Sequence, residues 1–129
     1  MKSLHIEADD DTPKVYLDPD AGIFLLEGKS LPENAFDFYE PILKWVEAFF
    51  NSENTTQKTA VNFNLDYFNT ASSKQIAKLL KIIENSPASE TVTVKWHYDE
   101  EDTDMLKAGK RYGKLIKIHF EFIENPEED

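Results

Sequence analysis

The chain contains no cysteine. Disulfides, thiolate metal sites and cysteine nucleophiles are excluded together. Long apolar runs are also missing: no stretch approaches the roughly 18 residues that cross a bilayer. The first residues, Met1-Lys2-Ser3-Leu4-His5-Ile6-Glu7, turn acidic where a signal peptide carries its apolar segment. Basic residues are few, 14 Lys and Arg against 25 Asp and Glu, for a net charge of −11. Phosphate backbones and anionic lipid surfaces both require a basic face, so neither nucleic acid binding nor membrane insertion is expected. Glycine is scarce, with four in 129 residues. None of them forms a phosphate-cradling loop, and neither Ser72 nor Ser73 lies in a Gly-x-Ser-x-Gly elbow. A cytoplasmic protein without cofactor or metal is the expectation.

Aromatic residues are plentiful, with nine Phe, five Tyr and two Trp to fill a core. The length suits one domain, expected over residues 1–123, with 124–129 as an acidic disordered tail. A first strand is predicted near residues 3–7, before the polar break at Asp9–Asp11. Lys14–Asp18 and Gly22–Glu27 then form a hairpin around Asp18-Pro19-Asp20-Ala21-Gly22. A helix opens near residues 30–34, capped by Ser30 with Glu33 or by Asn34 with Asp37. Its inward positions read Phe38, Ile42, Trp45 and Phe49, and Pro41 predicts a kink or a late start.

Thr59–Phe68 alternates Val61, Phe63 and Leu65 against Asn62, Asn64 and Asp66, which marks a strand with one wet face. A helix over 71–85 carries the stripe Ile76, Leu79, Leu80 and Ile83. Thr91–Tyr98 alternates again, a weaker helix runs from Asp102 to Tyr112 with Gly113 as its stop, and Leu115–Ile123 closes the order. Strands alternating with helices imply parallel pairing through right-handed crossovers. Strands wet on one side place the helices mainly on the other. The expected fold class is therefore α/β, two layers, with a mixed sheet of about six strands and three helices mainly on one face.

The segment Asn64-Leu65-Asp66-Tyr67-Phe68-Asn69-Thr70-Ala71-Ser72-Ser73-Lys74 sets hydroxyls and an amide where a strand ends and a helix begins. Such residues cap helices, because a side-chain oxygen accepts from a free backbone N–H. A phosphate placed there would meet the same N–H groups and the positive end of the helix dipole. Elsewhere, Asp99–Asp104 holds five carboxylates in six residues but lacks the ligand alternation of a calcium loop. His97 and His119 lie on the polar phase of their strands without a patterned third ligand.

Three stretches together resemble the SiaC family of bacterial regulatory phosphoproteins: Gly28-Lys29-Ser30-Leu31-Pro32-Glu33-Asn34, Tyr67-Phe68-Asn69-Thr70-Ala71-Ser72-Ser73 and Trp96-His97-Tyr98-Asp99. The resemblance covers about residues 4–122 and implies a STAS-like architecture of the anti-sigma-factor-antagonist type. It further implies a non-enzymatic partner switch with Thr70 as the phosphorylation site. A serine/threonine-type protein kinase and a PP2C-like phosphatase would set its state, and the unphosphorylated form would bind and activate a diguanylate cyclase, raising cyclic di-GMP. Ala71 stands where the family usually has serine, which removes a neighbouring hydroxyl but not the acceptor. Partner contacts are expected at Tyr67, Phe68, Asn69, Ser72, Ser73 and Lys74, with core packing the alternative for at least one of the two aromatics. Two other classes also fit the residues. One is a small hydrolase or isomerase using His97 with the Asp99–Asp104 acids, which requires a cleft joining them. The other is a constitutive acidic interaction module indifferent to Thr70.

Overall fold

The computed structural model describes residues 1–52 and 58–126 and shows nine elements in the expected order: β1 (Leu4–Ile6), β2 (Lys14–Asp18), β3 (Ile23–Ser30), α1 (Ala35–Phe50), β4 (Thr59–Phe68), α2 (Thr70–Glu84), β5 (Val92–Asp99), α3 (Thr103–Leu115) and β6 (His119–Asn125). The six strands form one sheet in strictly sequential order. The β1–β2 and β2–β3 pairs are antiparallel, and β3, β4, β5 and β6 run parallel. Each parallel step is bridged by one helix, so every crossover advances the same way across the sheet.

Register places Val15, Leu26, Phe63 and Trp96 side by side on one face, and this is the face the helices cover. The helices contribute Tyr39, Ile42, Val46 and Phe50 from α1 and Ile76, Leu79, Leu80 and Ile83 from α2 to the same core. The opposite face carries the row Tyr16, Leu25, Asn62, Lys95, Glu121 and lies open. Its polar groups bond to one another: His97 Nε2 lies 2.9 Å from Asn62 Oδ1, and Asn125 Nδ2 donates to Asn64 and Asp99. Those bonds let a half-wet face hold half-buried amide groups without an apolar cover.

Several local boundaries differ from the sequence reading. Of the two caps expected for α1, Asn34 with Asp37 is the one that forms, the Asn34 side chain accepting from Asp37 N at 3.1 Å, while Ser30 is the buried last residue of β3. α1 starts six residues before Pro41 and runs through it, so the late start does not occur. Its buried stripe is Ala35, Tyr39, Ile42, Val46 and Phe50, rotated from the predicted one. Phe38, Trp45 and Phe49 are only half-buried, because they pack on the flank of the core instead of beneath the helix. Gly113 does not stop α3. It lacks the positive φ by which glycine ends a helix, and α3 runs on to Leu115. Consequently β6 begins at His119, and the buried Ile116 and Ile118 lie in the connection. Glu124 and Asn125 belong to β6 and not to a tail, and residues 127–129 lie outside the described residues.

One irregularity shapes the site. The β3–β4 register advances from Gly28↔Leu65 to Lys29↔Tyr67, so Asp66 is an extra residue on β4 beside Gly28, whose φ is +111°. A bulge reverses which side chains point inward beyond it. Strict alternation after Val61, Phe63 and Leu65 would bury Tyr67; instead Phe68 turns in against Trp96, edge to face, and Tyr67 stands 56% exposed.

Candidate functional site

At the carboxyl ends of β3 and β4 the chain enters α2 through Asn69. The Asn69 side chain accepts from Ser72 N at 2.8 Å and its carbonyl accepts from Ser73 N at 2.9 Å. Two of the helix's leading donors are thereby satisfied. The N–H groups of Thr70 and Ala71 remain without a protein acceptor among the described residues, and both residues are exposed. Thr70, the first residue of α2, thus holds its hydroxyl in solvent beside two free donors at the positive helix end.

The turn that carries Thr70 is pinned from two sides. Below it, hydroxyls form a buried relay: Tyr39 donates to Ser30 Oγ (2.6 Å), Ser30 Oγ–H to Ser72 Oγ (2.9 Å), and Ser72 Oγ–H to the Ser30 carbonyl (3.0 Å). Each hydroxyl donates once, and those of Ser30 and Ser72 also accept, so α1, β3 and α2 are joined with no proton left unpaired. Burial pushes the Tyr39 phenol up, and the neighbouring Ser30 and Ser72 hydroxyls pull it partly back. On the other side Tyr112 of α3 donates to the Ser73 carbonyl at 2.8 Å, while Ser73 Oγ donates to the Thr70 carbonyl at 2.9 Å.

Burial pushes the Tyr112 phenol up to about 12 from its ordinary 10. A raised value means that the folded state favours the neutral phenol. Its contribution is therefore complete below pH 10 and lost as pH climbs through about 12. Denaturant midpoints measured over that window should fall more steeply for the native chain than for Tyr112→Phe; equal slopes would remove Tyr112 from the account.

The residues expected to meet a partner divide accordingly. Tyr67 and Lys74 are exposed, and Asn69 and Ser73 are half-exposed and engaged in the helix start. Phe68 packs against the core. Ser72 is corrected outright: it is fully buried and its hydroxyl belongs to the Ser30 relay, so it offers nothing to an outside protein. Ser30, Tyr39 and Tyr112 join the site from distant segments, and of the three only Ser30 lies in a stretch that carries the family resemblance. Local pattern does not mark the other two, because their bonding partners are distant in sequence.

The acidic residues do not assemble with His97. Asp99, Glu100 and Glu101 line an open groove with Glu27 and Asp66 that does not include His97. Asp102 caps α3 by accepting from Met105 N. Burial and the Lys95 charge push the His97 imidazole down, with Glu27 opposing, and its ring nitrogen is held by Asn62. Among the described residues no group of three or more His, Asp and Glu is arranged to hold a metal, and no helix is long and apolar enough to cross a membrane.

The sequence profile of the SiaC family regulatory phosphoproteins matches residues 6–125, nearly the whole chain. The chain belongs to the SiaC family. An uncharacterized protein of Pseudomonas aeruginosa (strain UCBPP-PA14) is 27% identical over 121 residues, covering 93% of this chain and 94% of that protein. The solved structure of SiaC from Pseudomonas aeruginosa superposes with a TM-score of 0.84 at 25% identity, covering 97% of this chain and all of the other. A crystal structure of the diguanylate cyclase SiaD in complex with its activator SiaC, from the same organism, gives 0.85 at 25% identity, covering 95% of this chain and 99% of that one. For this SiaC-family chain the likeness agrees with the two-layer α/β fold and with a regulatory role.

Proposed function

We propose that this protein is a non-enzymatic, cytoplasmic partner switch. Its unphosphorylated form binds and activates an effector, a diguanylate cyclase, and phosphate on Thr70 releases that effector. The observation that carries the reading is the exposed Thr70 hydroxyl at the mouth of α2, next to two free N–H groups on a turn fixed by Ser72, Ser30 and Tyr112. A kinase can reach it, the fold can hold a phosphate there, and the surface charge then changes by roughly −1.5 to −2. The SiaC of Pseudomonas aeruginosa, similar over 95% of this chain, is the activator in a complex with a diguanylate cyclase, which supports the choice of effector.

Treatment with a serine/threonine kinase should add a single phosphate by intact mass, absent in Thr70→Ala and removable by a PP2C-type phosphatase. Purified cyclase should be retained and activated by the unphosphorylated chain and by Thr70→Ala, and released by the phosphorylated chain. Phosphate mapping to another residue, or equal cyclase retention in both states, would overturn the reading.

A further inference from the structure

α2 carries a charge pattern opposite to that of the chain. Against a net charge of −11, the helix has Lys74, Lys78 and Lys81 and no acidic residue before Glu84. Lys81 is paired with Glu84 at 2.9 Å, whereas Lys74 and Lys78 are exposed and have no ion pair among the described residues. Thr70, Lys74 and Lys78 are spaced four apart, so they share one stripe of the helix.

Beside that stripe a trough of about 350 Å³ runs between α1 and α2. Phe36 and Leu43 line it from α1 together with Glu47 and the Glu40–Lys44 pair, and Gln75, Lys78 and Ile82 line it from α2, so the carboxylates stand on the α1 wall and the unpaired lysine on the α2 wall. Phe36 is 57% exposed, a large ring left in water at the same end of the molecule as Thr70 and Tyr67. Gln75 is only 7% exposed, and its Oε1 is the one buried side-chain polar atom without a hydrogen-bond partner among the described residues. An acceptor buried without a partner destabilises the packing around it, which marks the floor of the trough as imperfectly satisfied.

The dimensions indicate what fits. Phe36 to Leu43 and Gln75 to Ile82 each span seven residues, two helical turns or about 10.5 Å. That length matches the i, i+3/i+4, i+7 anchors of a helix laid into a groove. The trough is open along its length, unlike the pockets that enclose small ligands.

We infer that the α1–α2 trough receives an amphipathic helix of the protein partner, apolar along its ridge and carboxylate-bearing on the flank that meets Lys74 and Lys78. Phosphate on Thr70 acts on the same stripe. Its charge of roughly −1.5 to −2 cancels the two lysines and removes the attraction that seats the partner's carboxylates. This last step rests on Thr70 being the regulated residue; the trough does not.

The test uses a stapled helical peptide of about four turns with a leucine ridge and glutamates on one flank, titrated into the isotope-labelled full chain and followed by NMR. Saturable shifts of Phe36, Leu43, Ile82 and the Gln75 side-chain amide are expected. Binding should weaken by at least about tenfold in Lys74→Glu/Lys78→Glu and recover when the peptide's glutamates are exchanged for lysines. Both lysines are exposed, so the variant should fold as the native chain does. Phosphorylation at Thr70 should weaken the glutamate peptide to a similar degree.

Shifts elsewhere, or none, would overturn the trough as the docking site, and affinity unmoved by the charge reversal would overturn the charge matching. The same resonances moving with protein concentration alone would assign the trough to a second copy of this chain. The peptide contains no cyclase, so peptide binding without retention of purified cyclase would sink the effector reading alone.

Discussion

Aspartate at position 72 should destabilise the domain by at least about 3 kcal/mol, the scale of a buried charge left without a partner. The same residue at position 70 should leave stability within about 1 kcal/mol of the native chain, or raise it, because a carboxylate suits an exposed helix N-terminus. The two positions are two residues apart in one hydroxyl cluster. Yet Ser72 is fully buried against Ser30 while Thr70 faces water. Denaturant unfolding of Ser72→Asp and Thr70→Asp measures the contrast directly. A Ser72→Asp protein as stable as the native chain would show that the relay is not closed. The contrast also bears on regulation, since a phosphate can be carried in the folded state only at the exposed hydroxyl.

Trp96→Ala should cost about 3–5 kcal/mol, the usual loss for truncating a fully buried Trp. Trp96 is wholly buried, lies against Phe63 and Tyr112, and donates its indole N–H to the Met105 carbonyl, thereby fastening α3 to the sheet. Gly109 is the other half of that contact: a Cβ there would lie 2.4 Å from Trp96 Cδ1. Gly109→Ala should therefore cost about 1–3 kcal/mol by overpacking. Because both changes act on one contact, the double variant should be clearly less destabilised than the sum of the singles. Strict additivity in urea unfolding would show that the approach of α3 to Trp96 does not govern its docking. Since Tyr112 of α3 holds the Ser73 carbonyl, either single change should also loosen the turn that bears Thr70.

Much of this was readable in the residues themselves. Alternation in Thr59–Phe68 and Thr91–Tyr98 marks the strands because a pleat has a period of two, and the sheet confirms both within one residue. A cap at Asn69 or Thr70 was legible because capping is a local bond between neighbours in sequence, and the structure selects Asn69; of the two caps read for α1, the Asn34–Asp37 one is present. Gly113 misled, because glycine ends a helix by taking a positive φ, and here it does not take one while α3 continues to Leu115.

The chain's own order of residues thus settles which segments are strands and helices, which faces are wet, and that a threonine stands at the entrance to the second helix. Which hydroxyl of Asn69-Thr70-Ala71-Ser72-Ser73 meets solvent is decided by contacts between distant segments. The extra residue Asp66 turns Phe68 in and Tyr67 out, and Ser30, 42 residues before Ser72, takes the second hydroxyl into the core. Propensity and periodicity act over a turn or a pleat, whereas exposure depends on what folds against a residue from elsewhere. That is why the sheet's register and the docking of α1 and α3, and not the motif alone, leave Thr70 exposed and Ser72 buried.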